Sequence, residues 1–91
     1  MVIKKITVQL QNGLNARHTI KFVRKASSFD SQINIMKNGT LASGRDMMGV
    51  MNIAVEEGET ITLIADGSDE QTAADALESF LLNKNFSFLT V

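Results

Sequence analysis

The chain has 91 residues, a formal net charge of −1 at pH 7, one histidine and no cysteine. That length supports one domain over residues 1–91, and the missing cysteine excludes a disulfide scaffold, a thiolate metal centre and a cysteine nucleophile. A lone His18 cannot build a histidine metal site, so no metal or cofactor is expected.

The opening MVIKKITVQL interleaves polar with apolar residues, unlike a signal peptide, and no later stretch is long and apolar enough to span a bilayer. A cytoplasmic protein without membrane contact is expected. Charge is polarised along the chain: eight of the nine lysines and arginines lie at or before Arg45, and the acidic residues concentrate after it. This gives either one basic and one acidic surface or two ordinary solvated helix faces. With a near-neutral net charge and no Tyr or Trp, direct nucleic-acid binding is not expected.

Val2, Ile6, Val8 and Leu10 share one parity and predict a half-buried strand closed by Gln11-Asn12-Gly13. From Ala16 to Phe29 the period becomes helical. Ala16, Thr19, Ile20, Phe22, Val23, Ala26 and Phe29 project to one side, while Arg17, His18, Lys21, Arg24, Lys25 and Ser28 project to the other. Asn15 is placed to cap this helix. Ile33 and Ile35 alternate with polar residues up to Asn38-Gly39, a strong hairpin signal, and a brief strand at 40–43 follows. Asp46 is placed to cap a short helix from Met47 to about Ile53, weakened by Gly49. Glu56, Glu57 and Glu59 read as a solvated turn. TITLIA reads as a strand closed by Asp66-Gly67, and Ser68 with Gln71 reads as a capping box. Ala73, Ala74, Leu77, Phe80 and Leu81 form the stripe of a last helix. The order β-α-β-β-α-β-α argues α+β, with helices on one face of an essentially antiparallel sheet. Residues 82–91 form an apolar extension whose Phe86, Phe88, Leu89 and Val91 are expected to pack within the domain.

Two segments are specific. GLNARHTIKFV, from Gly13 to Val23, resembles the phosphoryl-site segment of HPr, the histidine-containing phosphocarrier of the phosphotransferase system, typically G-L-H-A-R-P-A. SGRDMMGVMNIAV, from Ser43 to Val55, resembles that family's second signature, a regulatory serine followed by I-M-G-L-M. The resemblance implies an HPr-like open-faced β-sandwich, with a four-stranded antiparallel sheet covered by three helices. It also implies a role in sugar transport, relaying phosphoryl groups from enzyme I to enzyme II components. In some relatives it further implies carbon catabolite repression, through a transcription factor that binds the serine-phosphorylated form.

The departures redirect that expectation. Asn15 stands where the family has its active histidine, His18 where it has proline, and Asp46 where it has the regulatory serine. An amide nitrogen is delocalised and does not attack phosphorus, so Asn15 is read as a cap and the chain as a non-enzymatic regulatory or docking protein. His18 is the alternative acceptor, which would make the chain an active phosphocarrier; otherwise it is a surface residue. A third possibility is a binding module for an unrelated partner. Asp46 is either a helix cap or a weak permanent substitute for phosphoserine. By resemblance, Arg17 binds phosphate, and Ile20, Arg24, Met47, Met48 and Met51 join it in a docking face. That face would meet phosphotransferase-system proteins or a catabolite-control transcription factor. The protein is expected to be a monomer or homodimer, with exchange of the first strand conceivable.

Overall fold

The computed structural model describes residues 1–84, so the expected packing of Phe86, Phe88, Leu89 and Val91 lies outside the described residues. The elements are β1 (Val2–Thr7), α1 (Ala16–Ser27), β2 (Gln32–Lys37), β3 (Thr40–Ser43), α2 (Met47–Ile53), β4 (Thr60–Asp66) and α3 (Glu70–Leu81). They form one sheet in the order β1-β4-β2-β3, every pairing antiparallel. Two-residue periodicity sorts the side chains of these strands. Ile6, Ile33, Ile35, Ala42, Ile61, Leu63 and Ala65 are buried beneath the helices, whereas Ile3 and Leu41 remain exposed on the open face. Phe22 and Ala26 from α1, Val50 and Ile53 from α2, and Ala73, Ala74, Leu77 and Leu81 from α3 close the core.

The hairpin forms as expected: Lys37 faces Thr40 across Asn38 (φ 50°) and Gly39 (φ 83°), the paired left-handed residues that match strand twist. β1 ends at Thr7, short of Leu10, although Val8 and Leu10 stay buried. Beyond Thr7 the chain leaves the ladder for the turn before β4, with Val8 N–H donating to Glu59 O at 2.9 Å and Gly58 N–H to Val8 O at 2.8 Å.

Three local expectations are corrected. The capping box of α3 is not made by Ser68 and Gln71: the N-cap is Asp69, whose side chain makes no cap bond, and Glu70 in the first turn reaches back to accept from Gly67 N–H at 3.1 Å. Asp69, at the head of α3, turns away to accept from Asp30 N–H and Ser31 N–H, both at 2.9 Å, and from the Ser31 hydroxyl. Those bonds, the Ser31 hydroxyl foremost, lower its carboxyl pKa. Second, the glutamate turn is not wholly solvated. Glu59 accepts from Lys37 Nζ at 2.8 Å and from Glu56 N–H at 2.7 Å, and both hold its pKa down, the lysine more. Third, Ile20 is 44% exposed although helical projection placed it on the buried side, because the helices beside α1 cover only the arc of Thr19, Phe22 and Ala26.

Candidate functional site

The segment between β1 and α1 is pinned before the helix begins. Asn12 (φ 66°) and Gly13 (φ 63°) are both left-handed. Gly13 N–H donates to Leu10 O at 2.8 Å, and Leu14 N–H donates to Val55 O at 2.9 Å, at the end of the α2 segment. A Cβ at Gly13 would fall 2.3 Å from Val55 O, so backbone meets backbone here and only glycine fits. This contact ties the first signature segment to the second.

Asn15 then caps α1 from extended geometry, its Oδ1 accepting His18 N–H at 2.9 Å. The expectation for Asn15 as N-cap is met. Thr19 is buried in the next turn and donates its hydroxyl to Leu14 O at 3.0 Å, a side chain that periodicity marks as core but whose bond it does not reveal.

His18 is more enclosed than a projection of α1 alone indicates. The residue is half-buried. Its Nδ1 lies 2.9 Å from Gly13 O, and its ring meets Phe80 edge-on, with centroids 6.2 Å apart at 82°. A projection of α1 alone omits both partners, since one precedes the helix and the other belongs to α3. A carbonyl oxygen only accepts, so in the neutral imidazole this contact fits the tautomer with the proton on Nδ1 and the lone pair on Nε2. Asn15, Arg17 and His18, with Gln11, Asn12 and Asn83, line a shallow polar depression of about 510 Å³. Asn83 at its rim comes from the end of α3, and no local pattern connects it to residues 15–18.

At the second signature, Asp46 caps α2, its Oδ1 accepting Gly49 N–H at 3.1 Å. Gly49 weakens a helix in general but here makes room, because a Cβ would lie 2.7 Å from Asp46 Oδ2. α2 ends at Ala54 in left-handed geometry (φ 56°), whose carbonyl accepts from Lys37 Nζ at 2.9 Å. α1 and α2 are in contact. Between them they expose Ile20 (44%), Met47 (40%), Met48 (67%) and Met51 (36%), and Arg17 and Arg24 are exposed on the same layer. Among the described residues no group of three or more His, Asp or Glu side chains is arranged to hold a metal, and no helix is long and apolar enough to cross a membrane.

The comparisons with known proteins agree with this architecture. The family model for the phosphorylation site of the HPr component of the phosphotransferase system matches residues 2–83. HPr-like protein Crh of Halalkalibacterium halodurans is 44% identical over 81 residues, covering 89% of this chain and 96% of that protein. Phosphocarrier protein HPr of Cupriavidus necator is 38% identical, covering 92% and 94%. Among solved structures, an HPr from Bacillus anthracis superposes with a TM-score of 0.86 at 38% identity, covering 88% of this chain and 95% of that one. The catabolite-repression protein Crh of Bacillus subtilis, described as a swapped, intertwined dimer, gives 0.76 at 38% identity, covering 93% and 98%. With both signature segments joined at Gly13 and Val55 on a fold that superposes on solved HPr proteins, the chain belongs to the HPr family of the phosphotransferase system, which includes the phosphocarriers and the Crh-like proteins.

Proposed function

We propose that this chain is a regulatory or docking member of the family, not an enzyme, that does not relay phosphate at the helix entrance. The observation that carries the reading is Asn15. Its oxygen is engaged by His18 N–H, and its nitrogen lone pair is delocalised into the carbonyl, so neither atom serves as a nucleophile toward phosphorus. The site retains the surroundings of phosphate handling, with Arg17 beside the first turn of α1, while lacking the group that accepts the phosphoryl. The partners on this reading are phosphotransferase-system proteins or a catabolite-control transcription factor in the cytoplasm, met through Ile20, Arg24, Met47, Met48 and Met51. Soft, exposed methionines suit a surface that engages more than one partner. The likeness to Crh proteins supports the repression side of this role, and the dimer described for Bacillus subtilis Crh supports the homodimer among the two expected states, monomer or homodimer.

Asp46 contributes as a helix cap that also places one permanent negative charge at the position of the regulatory serine. The substitution Asp46→Ser separates the two effects. Loss of repressor binding without kinase supports the charge mimic, and unchanged binding leaves Asp46 as a cap only.

The decisive experiment is incubation with enzyme I and labelled phosphoenolpyruvate. No stable acid-labile phosphate is expected, and its appearance refutes the reading. One observation favours a second reading, a carrier working through His18: the contact with Gly13 O leaves Nε2 with a lone pair. That carrier would take label abolished by His18→Ala and untouched by Asn15→Ala.

A further inference from the structure

β2 ends with a charged residue on the face that the helices cover. Ile33 and Ile35 are buried there, and Lys37, next in the same parity, has a side chain only 15% exposed. An ammonium enclosed to that degree costs free energy unless it is paired. Lys37 Nζ donates to Ala54 O at 2.9 Å and to Glu59 Oε1 at 2.8 Å. The same Glu59 oxygen accepts Glu56 N–H at 2.7 Å, so the carboxylate is also held by its own turn. Three segments therefore meet at one side chain: the end of β2, the end of α2 and the turn before β4.

α2 needs such support. Its seven residues are too few to hold a helix by themselves. Asp46 serves its first turn, but the last turn contains no basic residue and closes on the left-handed Ala54, with Ala54 N–H donating to Met51 O at 3.0 Å. Lys37 brings from β2 the positive charge that suits a helix C-terminus. The next carbonyl, Val55 O, accepts Leu14 N–H at 2.9 Å, one residue before the Asn15 cap. Carbonyls 54 and 55 thus lead one way to the exposed Met47, Met48 and Met51, and the other way to the entrance of α1.

We propose that Lys37 is a positioning residue: its ammonium, braced by Glu59, fixes the last turn of α2 together with the adjoining Val55–Leu14 contact. It thereby holds the methionines of α2 and the Asn15 end of α1 in one arrangement. Removing the charge loosens these two places together and leaves α3 as it was. The consequence for partner binding rests on the docking reading above; the positioning itself does not.

The test is hydrogen exchange on the full chain, with urea unfolding of the same proteins as the measure of global stability. Lys37→Met keeps an unbranched stem and drops the charge. Beyond any change in global stability, the amides of Leu14, Val50 and Ala54 are expected to exchange about tenfold faster, and that of Ala73 in α3 no faster. Lys37→Arg retains donors for both oxygens and is expected to restore most of the protection. Lys37→Met combined with Glu59→Gln removes the carboxylate that the single variant leaves unpaired. The three amides are expected to stay fast in it, and their return to wild-type rates overturns the proposal. Acceleration shared equally by Ala73 also overturns it, as the mark of a residue that only stabilises the whole fold. Binding to a catabolite-control repressor is the second readout, expected to be about tenfold weaker for Lys37→Met and recovered by Lys37→Arg. A wild-type chain that binds no repressor removes the docking reading, while the exchange rates still decide the positioning.

Discussion

Asn15 is asked to stabilise the entrance of α1 while being useless as a phosphoryl acceptor, and substitution separates the two. Asn15→Ala removes the 2.9 Å bond to His18 N–H and leaves that donor to water, because the helix end is exposed. Loss of a cap of this kind costs about 1 kcal/mol, which for a domain of this size lowers Tm by roughly 4–8 °C. Asn15→Asp keeps the bond and places a negative charge against the positive end of the helix, contributing about 0.3–1 kcal/mol more. The first turn of α1 holds no acidic residue of its own, so nothing there already fills that role. Asn15→His gives up most of the cap but supplies an imidazole beside Arg17. The expected order of thermal stability is therefore Asp at or above Asn, then His and Ala. The expected order of phosphate uptake from enzyme I is His alone. Melting curves and a labelled-phosphoenolpyruvate assay on the same four proteins check both. An Ala variant that melts with the wild type refutes the capping argument. A His variant that stays unlabelled shows that more than the nucleophile has been lost.

Two further outcomes follow from the geometry. Gly13→Ala combines a left-handed backbone with a Cβ 2.3 Å from Val55 O, and is expected to cost at least about 2 kcal/mol in urea unfolding. The same change at Gly39, where nothing lies within 4 Å, keeps only the backbone part of that cost. For Asp69, whose pKa is lowered chiefly by the Ser31 hydroxyl and then by Asp30 N–H, the ionised form is the one the fold favours. Its contribution is complete above the unfolded carboxyl pKa of about 3.9 and is lost as pH falls through the lower folded value. Asp69→Asn should be less stable than wild type at neutral pH, with the gap closing in acid below about pH 4. A gap that persists at low pH would show that shape, not charge, is what Asp69 supplies.

The element order, the two caps and the hairpin were legible in the sequence because each depends on neighbours a few residues away. Asn15 and Asp46 act on N–H groups three positions on, and Asn38-Gly39 needs only its own backbone. The alternating strands and helical stripes follow from local period in the same way, since burial of one face is imposed wherever the fold places the element. The N-cap of α3 is Asp69, one residue beyond the expected Ser68, and its carboxylate serves Asp30 and Ser31 instead of the helix, partners that no window around 69 contains.

His18, Ile20 and Gly13 show what only the tertiary structure decided. His18 and Ile20 sit where α1 was expected and Gly13 in the turn before it, yet what each does is set by a segment far along the chain or outside the helix: Phe80 and Gly13 O for the imidazole, the limited reach of α2 and α3 for the isoleucine, Val55 O for the glycine. Short-range torsions and periodicity are written into the order of residues. Which half of an amphipathic helix is covered, and which atom of a ring is left with a lone pair, depend on surfaces that exist only after the sheet has brought residues 13, 55 and 80 together.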